Sequence, residues 1–138
     1  MDVLLDTGGS VALAVRRDQW HGRARQFART PNLRMHTTSA VVGEIYTLLL
    51  PRVGYGPARV VARNLTSGLV AIVHHIDEAF DRDIWALIEE FSGVPLSYAD
   101  ASLVVLGRRL RVRQAFSFDA DLRAAGLELV PDGPDFPG

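Results

Sequence analysis

Short apolar runs alternate along the chain with longer segments in which apolar and polar residues mix. Each short run predicts a β-strand. The run at Leu69–His75 is continuous and β-branched, which is typical of a strand covered on both faces. The five predicted strands are Val3–Leu5, Leu33–His36, Leu69–His75, Val112–Phe118 and Leu127–Val130.

The segments between the runs predict helices. In the clearest of them, Asp77–Phe91, apolar residues recur at spacings of three and four, as on one face of an amphipathic helix. Thr37 and Thr38 are hydroxyl residues suited to capping the segment that runs on to Pro51. The predicted helices are Ser10–Arg17, Gln19–Arg29, Thr37–Arg52, Gly56–Gly68, Asp77–Phe91, Ser97–Leu110 and Asp119–Gly126.

This alternation predicts an α/β fold. No two-residue hairpin signal separates the runs, so we expect a central parallel sheet of about five short strands with helices on both faces. A chain of 138 residues with 48% hydrophobic residues is expected to form a single domain, at residues 1–130, followed by a flexible tail at 131–138. In sheets of this class, ligands bind at the carboxyl ends of the strands.

The composition excludes several kinds of chemistry. The chain has no cysteine, which rules out disulfides, zinc–thiolate sites and thiol catalysis. Asp2 and Asp6 interrupt the apolar run at the N-terminus, so no signal peptide is expected. No apolar run approaches the roughly 20 residues that cross a bilayer. We therefore expect a cytoplasmic protein with no membrane partner.

Charge is distributed unevenly, although the net charge is only −1. Residues 7–76 hold nine arginines and two acids, whereas residues 77–138 hold six arginines and twelve acids. All fifteen basic residues are arginine, for which a GC-rich genome is one explanation. Arginine also binds phosphate through two nitrogens and stacks on bases, so the basic first half is compatible with nucleic-acid binding.

Three acids lie where both a ligand site and a local structural role are possible. Asp6 and Asp119 directly follow predicted strands, where this fold class places ligands. Asp6 is also a common turn residue before Gly8, and Asp119 is a suitable helix N-cap. Asp100 likewise matches a capping box with Ser97.

Glu44 is harder to explain by local structure. It lies three residues after Val41 and four before Leu48, inside the apolar stripe of its helix. Burial of a lone carboxylate is costly, so this position indicates a cation, a metal or a cleft, with a structural arginine partner as the alternative. Asp100 repeats the pattern more weakly, shortly before two apolar residues of its own helix.

These four acids together indicate a metal site. Two unit charges about 4 Å apart repel by roughly 4 kcal/mol at an effective dielectric constant of about 20, so clustered carboxylates either protonate or bind a divalent cation. Oxygen ligands without His or Cys suit Mg²⁺, or Mn²⁺, better than Zn²⁺. Such cations typically activate water and neutralise a phosphodiester transition state, so the sequence indicates a metal-dependent nuclease.

Four motifs follow one another in a specific order. They are LLDTGG at 4–9, TTSAVVGEIYTLL at 37–49, PLSYADASLVVLGRRL at 95–110 and FSFDADLRAAGLELV at 116–130. In order and spacing they resemble the PIN-domain ribonucleases, and more narrowly the VapC-type toxins of bacterial toxin–antitoxin pairs. The resemblance spans Val3 to about Pro131 and implies a PIN-like nuclease domain.

The resemblance also implies roles for individual acids. Asp6 and Asp100 would hold Mg²⁺ most directly, and Glu44 and Asp119 would assist a metal-bound water. Asp121 is a lesser candidate for the fourth acid. The implied reaction is endonucleolytic hydrolysis of RNA, restrained by a cognate VapB-type antitoxin and carried out by a homodimer.

Two hydroxyl residues also match the family, and the start of the first helix differs from it. Thr7 and Ser117 fall where the family often has hydroxyls near the metal, and we treat them as supporting residues. After the first aspartate the family usually starts its helix with an apolar pair, whereas this chain has Gly9 and Ser10. We expect this difference to loosen the start of the first helix.

Two other functions fit parts of the pattern. A non-enzymatic RNA- or protein-binding module of the same fold would use its acids only as caps and in salt bridges, which does not suit Glu44 on an apolar face. A phosphatase with Asp6 as nucleophile commonly has a second aspartate two residues later, where this chain has Gly8. Trp20 is either a packing residue or a surface on which an RNA base stacks.

Overall fold

The computed structural model describes residues 1–131, which form five strands and seven helices. The strands are β1 (Asp2–Leu5), β2 (Arg34–Thr38), β3 (Ile72–His74), β4 (Gln114–Phe116) and β5 (Glu128–Val130). The helices are α1 (Thr7–Ala14), α2 (His21–Ala28), α3 (Ser39–Val53), α4 (Tyr55–Thr66), α5 (Glu78–Glu90), α6 (Tyr98–Leu110) and α7 (Ala120–Ala124). Apart from Pro131, the predicted tail lies outside the described residues.

The five strands form one parallel sheet in the order β3–β2–β1–β4–β5. The prediction of an α/β fold with a parallel sheet and flanking helices is confirmed. β1 lies at the centre, and its residues Val3, Leu4 and Leu5 are fully buried. Because β1 and β4 are neighbours, the chain segments that follow them leave the same edge of the sheet side by side.

Helix α6 is the most deeply buried helix of the fold. All of its residues from Ala99 to Gly107 are buried, and it packs between α5 and α3. A hydrogen bond of 2.7 Å between the hydroxyls of Thr38 and Ser102 ties it to the end of β2. A close-packed helix of this kind has little room to shift, so its first turn holds Asp100 at a fixed position beside the sheet.

The third strand is shorter and more exposed than predicted. It covers only Ile72–His74 instead of Leu69–His75, and it pairs on one side alone because it lies at the edge of the sheet. Ile72 is 44% exposed. The expectation of a strand covered on both faces is therefore wrong. A continuous β-branched run does not distinguish a central strand from an edge strand.

Helix α1 begins at Thr7, three residues before its predicted start. Gly9 is the residue that allows this, since a Cβ there would lie 2.3 Å from the carbonyl oxygen of Phe116. The helix therefore packs directly on the backbone of β4. The expectation that Gly9 and Ser10 loosen the start of α1 is wrong, because both residues are buried inside the helix.

Replacement of Gly9 by alanine is expected to lower the free energy of unfolding by about 1–3 kcal/mol, because the added methyl group would overlap the backbone of β4. Gly43→Ala in α3 is the matched control. A Cβ at Gly43 would meet nothing within 4 Å, so that substitution is expected to be neutral or slightly stabilising. Urea denaturation measures both effects, and equal stability of the two variants would contradict the close contact.

Candidate active site

Asp6 connects the central strand to α1. Its backbone N–H donates to the carbonyl oxygen of Phe116 at 3.2 Å, which holds the residue against β4. The residue is only 2% exposed, and its side chain makes no capping hydrogen bond to α1. A capping role therefore does not account for this buried carboxylate.

Ser117 holds two of the acids in place. Its hydroxyl donates to Oδ2 of Asp6 at 2.5 Å and accepts from the backbone N–H of Asp119 at 3.0 Å. Asp119 in turn caps α7, because its Oδ1 accepts from the backbone N–H of Asp121 at 2.9 Å. The loop after β4 is thereby fixed relative to the end of β1.

Asp100 occupies the first turn of α6. The N–H of Asp100 donates to Oγ of Ser97 at 3.0 Å, and the N–H of Ser97 donates to Oδ2 of Asp100 at 3.3 Å. The predicted capping box is therefore confirmed. The box orients the Asp100 carboxylate. The first turn of α6 thereby holds this carboxylate close to Asp6, which directly follows β1.

Three carboxylates converge at this point. Asp6, Asp100 and Asp119 each place one oxygen within 4.8 Å of the other two. They belong to three separate parts of the chain and line one cleft of about 450 Å³. Bringing three acids together in this way requires a compensating proton or cation.

Glu44 lines the same cleft from α3, outside the group of three. Val41 and Ile45 are buried, but Leu48 is 38% exposed and lines the cleft together with Glu44. The interpretation of Glu44 as buried within an apolar stripe is therefore wrong in its details. The side chain is half-buried at the cleft, which was one of the alternatives for this position.

The structure separates the two candidates for the fourth acid. Asp119 lines the cleft, whereas Asp121 is absent from the residues that line it within 1–131. Asp121 lies in the first turn of α7 and contributes its backbone N–H to the cap. Thr7 lines the cleft as well, and its buried Oγ1 has no hydrogen-bond partner in the described part of the chain.

The sequence did not indicate several residues that line the cleft. The loop between α1 and α2 contributes Asp18 and Gln19, next to Trp20, for which the sequence had left packing and base stacking open. Helix α3 contributes Arg52 at its last turn. Phe118, which directly precedes Asp119 in the chain, lines the cleft as well. A loop that crosses from one helix to another leaves no periodic signal, so only the folded chain shows which of its residues face the cleft.

The electrostatics of the cleft favour neutralisation. Burial raises the pKa of the Asp6 carboxyl to about 7, opposed by the hydrogen bond from Ser117 and reinforced by the charges of Asp100 and Asp119. Burial also raises the pKa of Asp100 to about 6, and the charges of Asp119 and Glu44 act in the same direction. Both shifts have the sign expected of carboxylates that lack a cation.

The donor atoms at the cleft fit a hard divalent cation. Oδ1 of Asp6 and Oγ1 of Thr7 are buried and lack hydrogen-bond partners among residues 1–131. Buried polar atoms are otherwise almost always paired, so these two oxygens indicate a missing ligand. All the clustered donors are oxygens, which suits Mg²⁺ or Mn²⁺.

Neutralisation of Asp6 is expected to stabilise the metal-free protein. The folded protein binds the proton of Asp6 more tightly than the unfolded chain does, because burial raises the pKa of Asp6 to about 7. The stability that this proton contributes is fully present below about pH 4 and is lost as pH rises toward about 7. In EDTA, we expect Asp6→Asn to raise the free energy of unfolding at pH 8 by about 1–3 kcal/mol, and to change it little at about pH 4.

Urea denaturation at the two pH values measures this difference. Asp121→Asn is the matched control, because Asp121 carries the same carboxylate outside the cleft. We expect it to change stability by only a few tenths of a kcal/mol at either pH. A destabilised Asp6→Asn variant at pH 8 would show that the Asp6 carboxylate is not electrostatically strained.

The neighbouring histidines belong to a different part of the sheet. Nδ1 of His36 and Nε2 of His74 share a hydrogen bond of 3.1 Å, and Nε2 of His36 lies 3.0 Å from Oδ1 of Asp2. His75 is exposed. None of these residues lines the acidic cleft as far as the chain is described.

No helix within 1–131 is long and apolar enough to span a bilayer.

Comparisons with known families and proteins give one consistent result. Residues 3–127 match the family model described as the PIN domain. The chain is also 30% identical over 132 residues to a Mycobacterium tuberculosis protein named 23S rRNA-specific endonuclease VapC20. That match covers 94% of this chain and 99% of the relative.

Solved structures share the fold. The crystal structure of Mycobacterium tuberculosis VapC20, described as a sarcin–ricin loop cleaving toxin, matches with a TM-score of 0.84 and 28% identity, over 91% of this chain and 96% of that one. VapBC-1 from nontypeable Haemophilus influenzae matches with a TM-score of 0.62 and 17% identity, over 94% and 96% of the respective chains. At this lower identity the likeness is one of fold.

Proposed function

Since the chain belongs to the PIN domain family, and within it to the VapC-type proteins, we propose that it is a Mg²⁺-dependent endoribonuclease and the toxin of a toxin–antitoxin pair. The observation that supports the activity best is the convergence of Asp6, Asp100 and Asp119, whose oxygens lie within 4.8 Å of one another. Oδ1 of Asp6 has no hydrogen-bond partner among residues 1–131, which supports the binding of a cation there.

The acids have different roles in the proposed reaction. A divalent cation held by Asp6 and Asp100, with help from Asp119, would lower the pKa of an attacking water and neutralise charge on the phosphate. Ser117 holds Oδ2 of Asp6, whereas the buried Oδ1 has no hydrogen-bond partner among residues 1–131. To Glu44, which lies half-buried on α3 and lines the same cleft, we assign the acceptance of the proton of the attacking water.

We propose structured RNA as the substrate class, with ribosomal RNA as the first candidate. The relative that is 30% identical over nearly its whole length is named as specific for 23S rRNA. The cleft also carries Arg52, which can contact an RNA phosphate beside the acids. The proposed partners are a cognate VapB-type antitoxin and a second copy of the chain, and the proposed location is the cytoplasm.

A non-enzymatic binding module remains the second candidate. Two observations favour it. Asp100 takes part in the capping box of α6, and Asp119 caps α7, so both carboxylates have structural roles. Asp6 does not fit this candidate, since its buried Oδ1 has no partner within the described residues. Cleavage and metal binding therefore distinguish the two candidates.

The direct test is cleavage by the purified protein, freed of any bound antitoxin, of intact ribosomes, total RNA and a separate tRNA pool. Each substrate is incubated with Mg²⁺, with Mn²⁺ and with EDTA. We expect discrete fragments that require the metal, first of all from ribosomal RNA. Absence of cleavage in every pool, together with absence of metal binding, would favour the binding module.

A further inference from the structure

Two aromatic rings form one wall of the acidic cleft. The rings of Trp20 and Phe118 are stacked, with centroids 5.2 Å apart and planes inclined by only 6°. Both side chains are half-buried, and both line the same cleft as Asp6, Asp100 and Asp119. The carboxylates and the ring pair therefore face a common space.

The position of Phe118 is coupled to the acidic group through its two neighbours in the chain. Phe118 lies between Ser117, which donates to Asp6, and Asp119, whose N–H donates to Ser117. Its ring also contacts Phe116 edge-on, with centroids 6.2 Å apart. The ring is thus held at a fixed place beside the reacting groups rather than on a free loop.

Trp20 is held from the other direction. The backbone N–H of Trp20 donates to Oδ1 of Asp18 at 2.8 Å, and Nδ1 of the adjacent His21 lies 2.7 Å from the carbonyl oxygen of Ala12. These contacts fix the loop between α1 and α2 against the rest of the domain. The backbone of Trp20 is thereby positioned at the cleft, where the indole stacks on Phe118.

The remaining walls suit a nucleotide. Glu44, Leu48 and Arg52 follow one another at spacings of four on α3 and all line the cleft. This arrangement places a cation and an apolar side chain in the same space as the ring pair. The volume of about 450 Å³ is in the range of pockets that hold a small ligand.

We propose that Trp20, backed by Phe118, stacks on an unpaired base of the RNA next to the cleaved phosphate. This inference rests on the proposed function and specifies its substrate as a single-stranded loop from which a base can turn out. Base stacking on an aromatic ring supplies affinity that does not depend on charge, in addition to the attraction of the phosphate to the proposed cation and to Arg52. Bases inside a duplex are not available for such stacking.

The chain offers a direct probe, since its two tryptophans are Trp20 and Trp85. Trp85 lies on α5, is 54% exposed and contacts Tyr98 away from the cleft. In a Trp85→Phe, Asp100→Asn background, Trp20 fluorescence reports binding without cleavage. We expect quenching by a stem–loop RNA and much weaker quenching by a perfect duplex of the same length.

Steady-state cleavage of the stem–loop RNA separates stacking from packing. We expect Trp20→Ala to raise KM about 10- to 100-fold with kcat changed far less, the loss associated with one base–aromatic stack. Trp20→Phe, which keeps a π-face, should restore most of the affinity. Trp20→Leu, which fills space without a π-face, should not. A Leu variant that performs as well as the Phe variant would show that Trp20 only packs.

The two proposals fail in different ways. If the wild-type protein neither binds nor cuts any RNA, the proposed function fails and the stacking role fails with it. If the wild-type protein cuts RNA, and Trp20→Ala cuts with an unchanged KM, only the stacking role is overturned. The same holds if RNA binds without altering the fluorescence of Trp20.

Discussion

Replacement of Asp100 by asparagine is expected to lower the rate of RNA cleavage about 1,000-fold or more while leaving the protein folded. A bound cation contributes several kcal/mol to the stabilisation of the transition state, and loss of one charged ligand removes much of that contribution. Asparagine can still accept the hydrogen bond from the N–H of Ser97, so the capping box survives. Cleavage rates and melting temperatures, measured on the same preparations, check both halves of this expectation.

Asp77→Asn is the matched control for this substitution. Asp77 is also an aspartate at a helix start, where its Oδ1 accepts from the N–H of Phe80 at 2.8 Å, but it lies outside the acidic cleft. The same chemical change there is expected to leave the rate within about twofold of the wild-type value, because surface changes of this kind rarely alter a distant site. If Asp100→Asn cleaves as fast as Asp77→Asn, the proposed role of Asp100 is wrong.

Mn²⁺ or Mg²⁺ at saturation is expected to raise the melting temperature of the wild-type protein by about 5–10 °C at pH 8. A ligand present at about 100 times its dissociation constant stabilises the folded state by roughly 2.7 kcal/mol. We expect the cation to relieve the repulsion among Asp6, Asp100 and Asp119 and to contact Oδ1 of Asp6, which has no partner among residues 1–131. Thermal denaturation with metal and with EDTA measures the shift.

The same shift is expected to shrink toward pH 5. Protons compete with the metal for Asp6 and Asp100, whose pKa values are raised to about 7 and about 6, so metal stabilisation grows as pH rises through that range. Asp6→Asn should abolish most of the shift at pH 8, and Asp121→Asn should preserve it. An equal response of the wild-type and Asp6→Asn proteins would place the metal elsewhere.

The sequence was informative about the acids at strand ends because their location follows from topology alone. Alternating strands and helices predict a parallel sheet, and a parallel sheet places all its carboxyl ends at one edge. Asp6 and Asp119 therefore had to lie near that edge once β1 and β4 proved to be neighbours. For Asp100 the sequence left both a capping box and a ligand role open, and in the structure the same side chain takes part in the capping box and in the acidic cluster.

Other features depend on packing that no local pattern encodes. Glu44 was selected because it interrupts an apolar stripe, yet the stripe ends before Leu48, which faces the cleft. The contact between Gly9 and the backbone of β4 joins parts of the chain more than 100 residues apart. The ring wall of Trp20 and Phe118 likewise combines two loops that are distant in sequence. Such contacts become visible only when the chain is folded.

The unrelieved charge in the cleft has a consequence for how natural and laboratory variation in this protein is read. Substitutions that neutralise Asp6 or Asp100 remove electrostatic repulsion and desolvation cost from the folded state, and at the same time they remove a proposed metal ligand. In a library of variants sorted separately for abundance and for growth arrest, we expect variants at these two positions to be abundant but to cause the least growth arrest. At positions such as Gly9, where packing is at stake, both abundance and growth arrest should fall. Positions where substitution raises abundance but abolishes growth arrest would thus identify residues that lower the stability of the fold and are needed for activity.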